Sequence, residues 1–304
     1  MKEKMFALID TLKPELSAMS DDIYDHPEVG LTEVHASSLL TGWLEKRGFA
    51  VERGVGGLPT AFRAVYRRGE GGPRIGLLCE YDALPALGHA CGHQMQGPCI
   101  LAAAAALKDS GLPGPFSVVV YGTPAEETEG GKILMLKNGD CFHDIDVALM
   151  MHGSGETTTD VKSMALTNFF VAYRGTAAHA AIKPELGRSS LDAMSLAFHG
   201  VECLREHVKE DTRIHYNVTD GGGTGANTVP AFTKAQFYVR SYNRAYLESV
   251  IARFLKVLYG AAMMTETEVE IERRKDVDNK IPALKLNDVI MENARAVNAP
   301  AIRP

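Results

Sequence analysis

Little in this 304-residue chain suits a surface built for nucleic acid or lipid. Lys and Arg number 32 against 38 Asp and Glu, a formal charge of -6, and no basic run breaks that balance. A phosphate-binding face needs concentrated positive charge, so a nucleic-acid partner is not expected. The longest apolar stretch, residues 99–107, is about half what a bilayer-spanning helix requires, so no membrane partner is expected either. The first residues, Met1-Lys-Glu-Lys-Met-Phe, lack the apolar core of a signal peptide. Five scattered cysteines are too few for a disulfide framework and point to a reducing, cytoplasmic compartment. Repeats and low-complexity tracts are absent. What remains is ordinary globular composition, 45% hydrophobic and 23% charged, at a length where one domain commonly becomes two.

Apolar spacing predicts helices over residues 4–24 and 33–47, the first stopped by Pro27 and the second capped by Gly48. Short strands follow at 49–52 and 61–66. Three apolar runs then share one grammar. Residues 75–79 lead into Glu80-Tyr-Asp-Ala-Leu-Pro-Ala-Leu-Gly-His-Ala-Cys-Gly-His-Gln, residues 118–122 into Thr123-Pro-Ala-Glu-Glu, and residues 146–151 into His152-Gly153. Helices predicted over 97–110 and 131–137 separate them. Buried strands alternating with helices indicate an α/β domain with a mainly parallel sheet, and such sheets bind ligands at the carboxyl ends of their strands.

After about residue 163 the pattern changes. Strands at 165–174, 214–219, 234–242 and 269–272 and helices at 190–209 and 244–263 give the order of a split-βαβ sandwich, an inserted α+β domain. The Gly-rich stretch 220–230 reads as a loop. It is no phosphate cradle, because no Gly-Lys-Ser/Thr follows and it joins two strands. A last helix over 287–298, with Asn287 or Asp288 as N-cap, is assigned back to the first domain. The expected division is 1–162 plus 275–304 for a catalytic domain and 163–274 for a second one.

Acid, imidazole and thiol gathered at strand ends are costly to bury unless paired or metal-bound. A lone Cys-x-His is explained more readily by a buried thiol and a surface histidine, and Glu126-Glu127 by acids favouring a helix start. His152 alone reads as a core histidine. Three strand ends carrying such residues reverse the balance. Cys91 and His93 become candidate metal ligands, because thiolate and imidazole are strong ligands for zinc-like ions. One of Glu126 and Glu127 would bind metal while the other takes a proton from water.

Tyr81-Asp-Ala-Leu-Pro, Gly88-His-Ala-Cys-Gly-His, Pro124-Ala-Glu-Glu and His152-Gly stand in an order that resembles the aminoacylase/amidohydrolase metallopeptidase family, which includes hippurate and aminobenzoyl-glutamate hydrolases and a dipeptidase-like branch. The match runs from His26-Pro-Glu onward. It implies a metallopeptidase catalytic domain with an inserted lid and dimerisation domain, and two divalent ions (zinc, manganese or cobalt). It implies Cys91, His93, Glu127 and His152 as ligands, Glu126 as general base, and Asp82 orienting the ligands from behind. His179 in Ala178-His-Ala would polarise the scissile carbonyl, and Asn227 and Arg240 would hold the substrate. The implied activity is hydrolysis of small N-acyl amino acids or dipeptides by a homodimer joined through the lid.

Glu80 stands where other branches carry a metal-binding histidine, and Gln94 where relatives carry Asp or Asn. The resemblance also implies a further histidine ligand near the C-terminal end, yet none follows His215, so the catalytic domain is expected to be incomplete. Two other classes compete: an impaired, truncated homologue acting as a dimeric scaffold, and a cysteine amidase using Cys91 as nucleophile.

Overall fold

The structure, a computed structural model, describes residues 2–139, 141–159 and 162–300. The chain divides into two compact units, residues 1–155 and 156–302. Residues 156–159 and 162 thus fall in the second unit, and so does the last helix, which the sequence pattern assigns to the first domain.

In the first unit, helices Lys2–Asp25 (α1), Val34–Lys46 (α2) and His93–Asp109 (α3) cover one face of a five-stranded sheet. The strands are Ala50–Arg53 (β1), Phe62–Arg68 (β2), Arg74–Cys79 (β3), Phe116–Gly122 (β4) and Val147–Met150 (β5), in the order β1-β2-β4-β3-β5. The sheet is mixed. Strand β3 runs parallel to both β4 and β5, whereas the β1–β2 and β2–β4 pairings are antiparallel. The three strands whose ends carry the chemistry are therefore the parallel set, and all three deliver their carboxyl ends to one edge. Leu40, Leu44, Leu77, Leu101 and Val120 fill the helix-covered face. Helix Gly131–Gly139 (α4) places Met135 on the other, against Leu58, Val119 and Tyr121. Each fully buried aliphatic side chain contributes about 1.5–3 kcal/mol over leaving it exposed.

The second unit is an antiparallel sheet in the order β11-β6-β10-β8, from Ala165–Arg174 (β6), Arg213–Asp220 (β8), Phe232–Ser241 (β10) and Glu268–Val277 (β11). Helices Ser190–Arg205 (α5) and Arg244–Thr265 (α6) share an apolar core with it around Phe169, Phe237 and Phe254. Both start on a side-chain cap: Ser189 accepts from the Asp192 amide and Asn243 from the Tyr246 amide. This is the expected split-βαβ order, with β11 extending well beyond the predicted 269–272.

Two local expectations fail. The stretch read as a loop contains a strand, Thr228–Val229 (β9), paired with Ala178–His179 (β7), too short for periodicity to register. The last helix, Leu284–Ala296 (α7), starts earlier than predicted, and Ala283 at its N-cap offers no side-chain bond. Asn287 lies inside the helix, where its own amide already donates to the Ala283 carbonyl.

Candidate metal centre

Each strand end turns sharply, and the sequence supplies the means. After β3 the chain passes Glu80 and Asp82 and re-enters a helix at Gly92, whose φ of +83° is open to glycine at little cost. His93 is therefore the first residue of α3 rather than part of a loop, four residues earlier than the pattern predicts, and it is completely buried. After β4, Ala125 adopts a φ of +54° and its carbonyl accepts from the amides of Gly130 and Gly131 at 2.8 and 3.1 Å, folding Glu126 and Glu127 into a tight loop. A Cβ at Gly131 would lie 1.8 Å from the Pro124 carbonyl oxygen, so this turn requires glycine there. His152 follows β5 one residue after its end, past Met151.

These turns bring the predicted ligands together. Cys91 Sγ lies 3.5 Å from His152 Nε2, and the His93 and His152 rings meet edge to face with centroids 5.5 Å apart. His93 Nε2 lies 3.8 Å from Glu127 Oε1. Cys91, His93 and His152 form one three-donor group, and His93, Glu126 and Glu127 form another, each spanning no more than 4.8 Å between donor atoms. His93 belongs to both groups.

Asp82 organises the rest from behind. Its Oδ1 lies 3.0 Å from His93 Nδ1, and its Oδ2 accepts from the Glu127 amide at 3.0 Å. That bond leaves His93 Nε2 facing the pocket, the arrangement by which a carboxylate fixes the orientation of a ligating imidazole. Among the described residues, neither His93 Nε2 nor Glu127 Oε1 has a hydrogen-bond partner, although both are buried. Two orphaned donor atoms facing each other are expensive in a protein interior and natural in a metal site.

The electrostatics agree. Burial opposes charging of His93, but the Asp82 hydrogen bond and the fields of Glu80, Asp82 and Glu127 outweigh it and raise its pKa. Burial, then Glu127, Glu126 and Glu80, pushes the Cys91 thiol up to about 12. A pocket this rich in carboxylate therefore disfavours a free thiolate and favours a cation. The donor set of one thiol, two imidazoles and carboxylates suits zinc-like divalent ions.

Glu80 is already engaged. It pairs with Lys132 and accepts from Gln96 Nε2 at 2.7 Å, while its other contact is His93 Nε2 at 3.4 Å. Gln94 lies on α3 with its Oε1 buried and without a hydrogen-bond partner among the described residues. His89 is buried beside Tyr24, outside both donor groups. Sequence inspection missed Lys132, Gln96 and Glu33. A single Lys or Gln on a helix gives no local signal, because its role depends on which strand end it meets. Glu33 is buried, and burial pushes its carboxyl pKa up.

Within the second unit, His179 and Asn227 sit on the small β7–β9 ribbon. The Asn227 carbonyl accepts from the Ala180 amide at 2.9 Å, and His179 Nδ1 accepts from the Ala181 amide at 3.2 Å. Both side chains are exposed. Arg240 lies toward the other end of β10, with its guanidinium 5.4 Å from the Tyr238 ring centroid and its Nε buried without a partner among the described residues.

A further donor group in the first unit, Asp22, His26 and His35, differs in kind. Both imidazoles already contact Asp22, at 3.0 and 3.2 Å, which ties the end of α1 to the start of α2.

A mixed α/β sheet whose parallel strand ends gather thiol, imidazole and carboxylate within reach of one another defines a candidate metal site. Residues 78–300 match the family described as Peptidase family M20/M25/M40, and the chain belongs to that family. It is 35% identical over 306 residues to one of the p-aminobenzoyl-glutamate hydrolase subunits of Escherichia coli K12, covering 93% of this chain and 63% of that one. It is 36% identical over 308 residues to the Xaa-Arg dipeptidase of Mus musculus, covering 97% and 71%. In fold it resembles a dinuclear metal-binding M20-family peptidase of Bacillus subtilis, with a TM-score of 0.71 at 20% identity, covering 95% and 81%. The chain thus spans about two thirds of the length of the curated relatives it matches.

Proposed function

We propose that this protein hydrolyses the amide bond of small N-acyl amino acids or dipeptides, using two divalent cations held by Cys91, His93, Glu127 and His152. The observation that carries this proposal is the buried pair His93 Nε2 and Glu127 Oε1, neither with a hydrogen-bond partner among the described residues, backed by Asp82. The relatives' activities support the substrate class, since their names describe cleavage of an aminobenzoyl-glutamate amide and of a dipeptide.

When bound, zinc, manganese or cobalt ions supply Lewis acidity at the scissile carbonyl and acidify the attacking water. Glu126 takes the proton from that water and returns it to the leaving amine. Asp82 keeps the His93 ring turned toward the pocket and, by accepting from the Glu126 and Glu127 amides, holds the backbone of that loop in place. The family resemblance gives His179 the role of donor to the developing oxyanion, a contribution of about 3 kcal/mol where such a donor is well placed. Asn227 and Arg240 hold the substrate carboxylate, for which a guanidinium offers a planar fork. Homodimerisation falls to the second unit, where β8 is an edge strand with an exposed face. Among the described residues no helix is long and apolar enough to cross a membrane.

The test is Glu126→Gln. Metal stoichiometry should stay at the wild-type value while turnover of acyl-amino acids and dipeptides falls by about three orders of magnitude or more. Turnover that survives this substitution, or that survives chelation and dies on thiol alkylation, rejects the proposal, the second pattern in favour of a cysteine amidase.

A further inference from the structure

We propose that Glu33 is the positioning residue for Glu126, acting through the left-handed backbone of Ala125; this rests on Glu126 being the proton acceptor. Glu33 stands just before α2, far from Ala125 in sequence, and is fully buried. Its Oε1 accepts from the Ala125 amide at 2.7 Å, and its Oε2 accepts from Thr60 Oγ1 at 2.8 Å. On the other side of the loop, Asp82 accepts from the Glu127 amide at 3.0 Å and also from the Glu126 amide. Three consecutive amides are thus divided between two buried carboxylates, Glu33 and Asp82.

Ala125 makes this division consequential. Its φ of +54° is a conformation that glycine adopts freely and L-residues avoid, so something must hold it there. The Glu33 bond does so on the amide side, and the Gly130 and Gly131 amides do so on the carbonyl side. Packing closes the remaining route of escape. A Cβ at Gly30 would come within 2.2 Å of Thr128 Oγ1 and 2.9 Å of the Ala125 Cβ, so the segment just before Glu33 is pressed against the loop. Without an acceptor at Glu33, Ala125 can relax toward negative φ. The peptide plane leading into Glu126 then rotates, while Asp82 still holds Glu127. The expected consequence is a misplaced base beside an intact ligand, and a misplacement of about 1 Å can lower rate by about 10²-fold.

The experiment compares Glu33→Ala, Glu33→Gln and Glu126→Gln in the full chain, scoring kcat, KM, metal stoichiometry and hydrogen exchange of the 125–127 amides. Glu33→Ala should lower kcat by about 10²-fold at unchanged KM and metal content, with faster exchange at Ala125. Glu33→Gln, which keeps an acceptor oxygen, should restore kcat and protection. Unchanged kcat and exchange in Glu33→Ala beside a collapsed Glu126→Gln overturns the role of Glu33 and leaves the proposed function standing. Unchanged turnover in Glu126→Gln overturns the function itself. If Glu33→Gln is as impaired as Glu33→Ala, the acceptor role is rejected. Should Glu33→Ala fail to fold, Thr60→Val removes only the second support of Glu33. It should shift kcat and Ala125 exchange in the same direction, and no shift in either counts against the proposal.

Discussion

The two units handle charged residues in opposite ways. In the first, Glu33, Glu80, Asp82, His93 and Gln96 are buried together and bonded to one another or to backbone amides. In the second, the core around Phe169, Phe237 and Phe254 is apolar, and His179, on a two-residue ribbon, and Asn227, just before its partner strand, are exposed. A pocket that buries charge fixes its side chains before any ligand arrives, because each unsatisfied group would cost about 1–3 kcal/mol. A hydrocarbon core spends its stability on shape.

Three experiments can break or sharpen that contrast. The largest effect is expected for Phe254→Ala, which should destabilise the second unit by about 3–5 kcal/mol through a cavity in its core. The single tryptophan, Trp43, lies in the first unit and reports on that unit alone. Denaturant unfolding followed by far-UV circular dichroism should show an early transition that Trp43 fluorescence does not. If both signals move together, the units unfold as one and the contrast loses its thermodynamic basis.

Asp82→Asn comes next. It removes the charge behind His93 while leaving its packing, and metal affinity should fall about 10–100-fold with little change in the unfolding midpoint. Competition with a chromogenic chelator measures this. A large loss of stability with metal affinity intact would make the buried cluster of the first unit a structural network only.

The smallest effect concerns Asp276 in the second unit. Burial alone would raise its carboxyl pKa, but bonds from Arg273, Thr167 and Arg244 outweigh burial and bring it down to about 2. A carboxyl with a depressed folded pKa adds stability above its ordinary range near 4, and that stability disappears as pH falls through about 2. Solvent reaches the group, so the contribution is on the order of 1 kcal/mol. The stability gap between wild type and Asp276→Asn should be open at pH 7 and closed near pH 2. A gap that persists at pH 2 would mean that packing, rather than charge, ties β11 to β6.

Much of this was legible beforehand. The helices and strands of both units follow from apolar period, and the strand ends that carry Asp82, Cys91, His93, Glu126, Glu127 and His152 follow from runs that stop at Gly, Pro or acid. The misses share a cause. The ribbon made by β7 and β9 is too short to have a period, and the start of α3 at His93 depends on the φ of Gly92. The partnerships of Glu80 with Lys132 and of Glu33 with Ala125 join residues that no local pattern links.

Sequence alone determined the alternation of strands and helices, the donor types at three strand ends and the family to which the chain belongs, because hydrophobic period and residue chemistry are local properties. Tertiary structure alone decided that His93 is shared by two donor groups, that its Nε2 and Glu127 Oε1 have no hydrogen-bond partner among the described residues, and that Glu33 holds the backbone ahead of Glu126. Those facts depend on distances between segments far apart in the chain, and only the parallel packing of β3, β4 and β5 sets those distances.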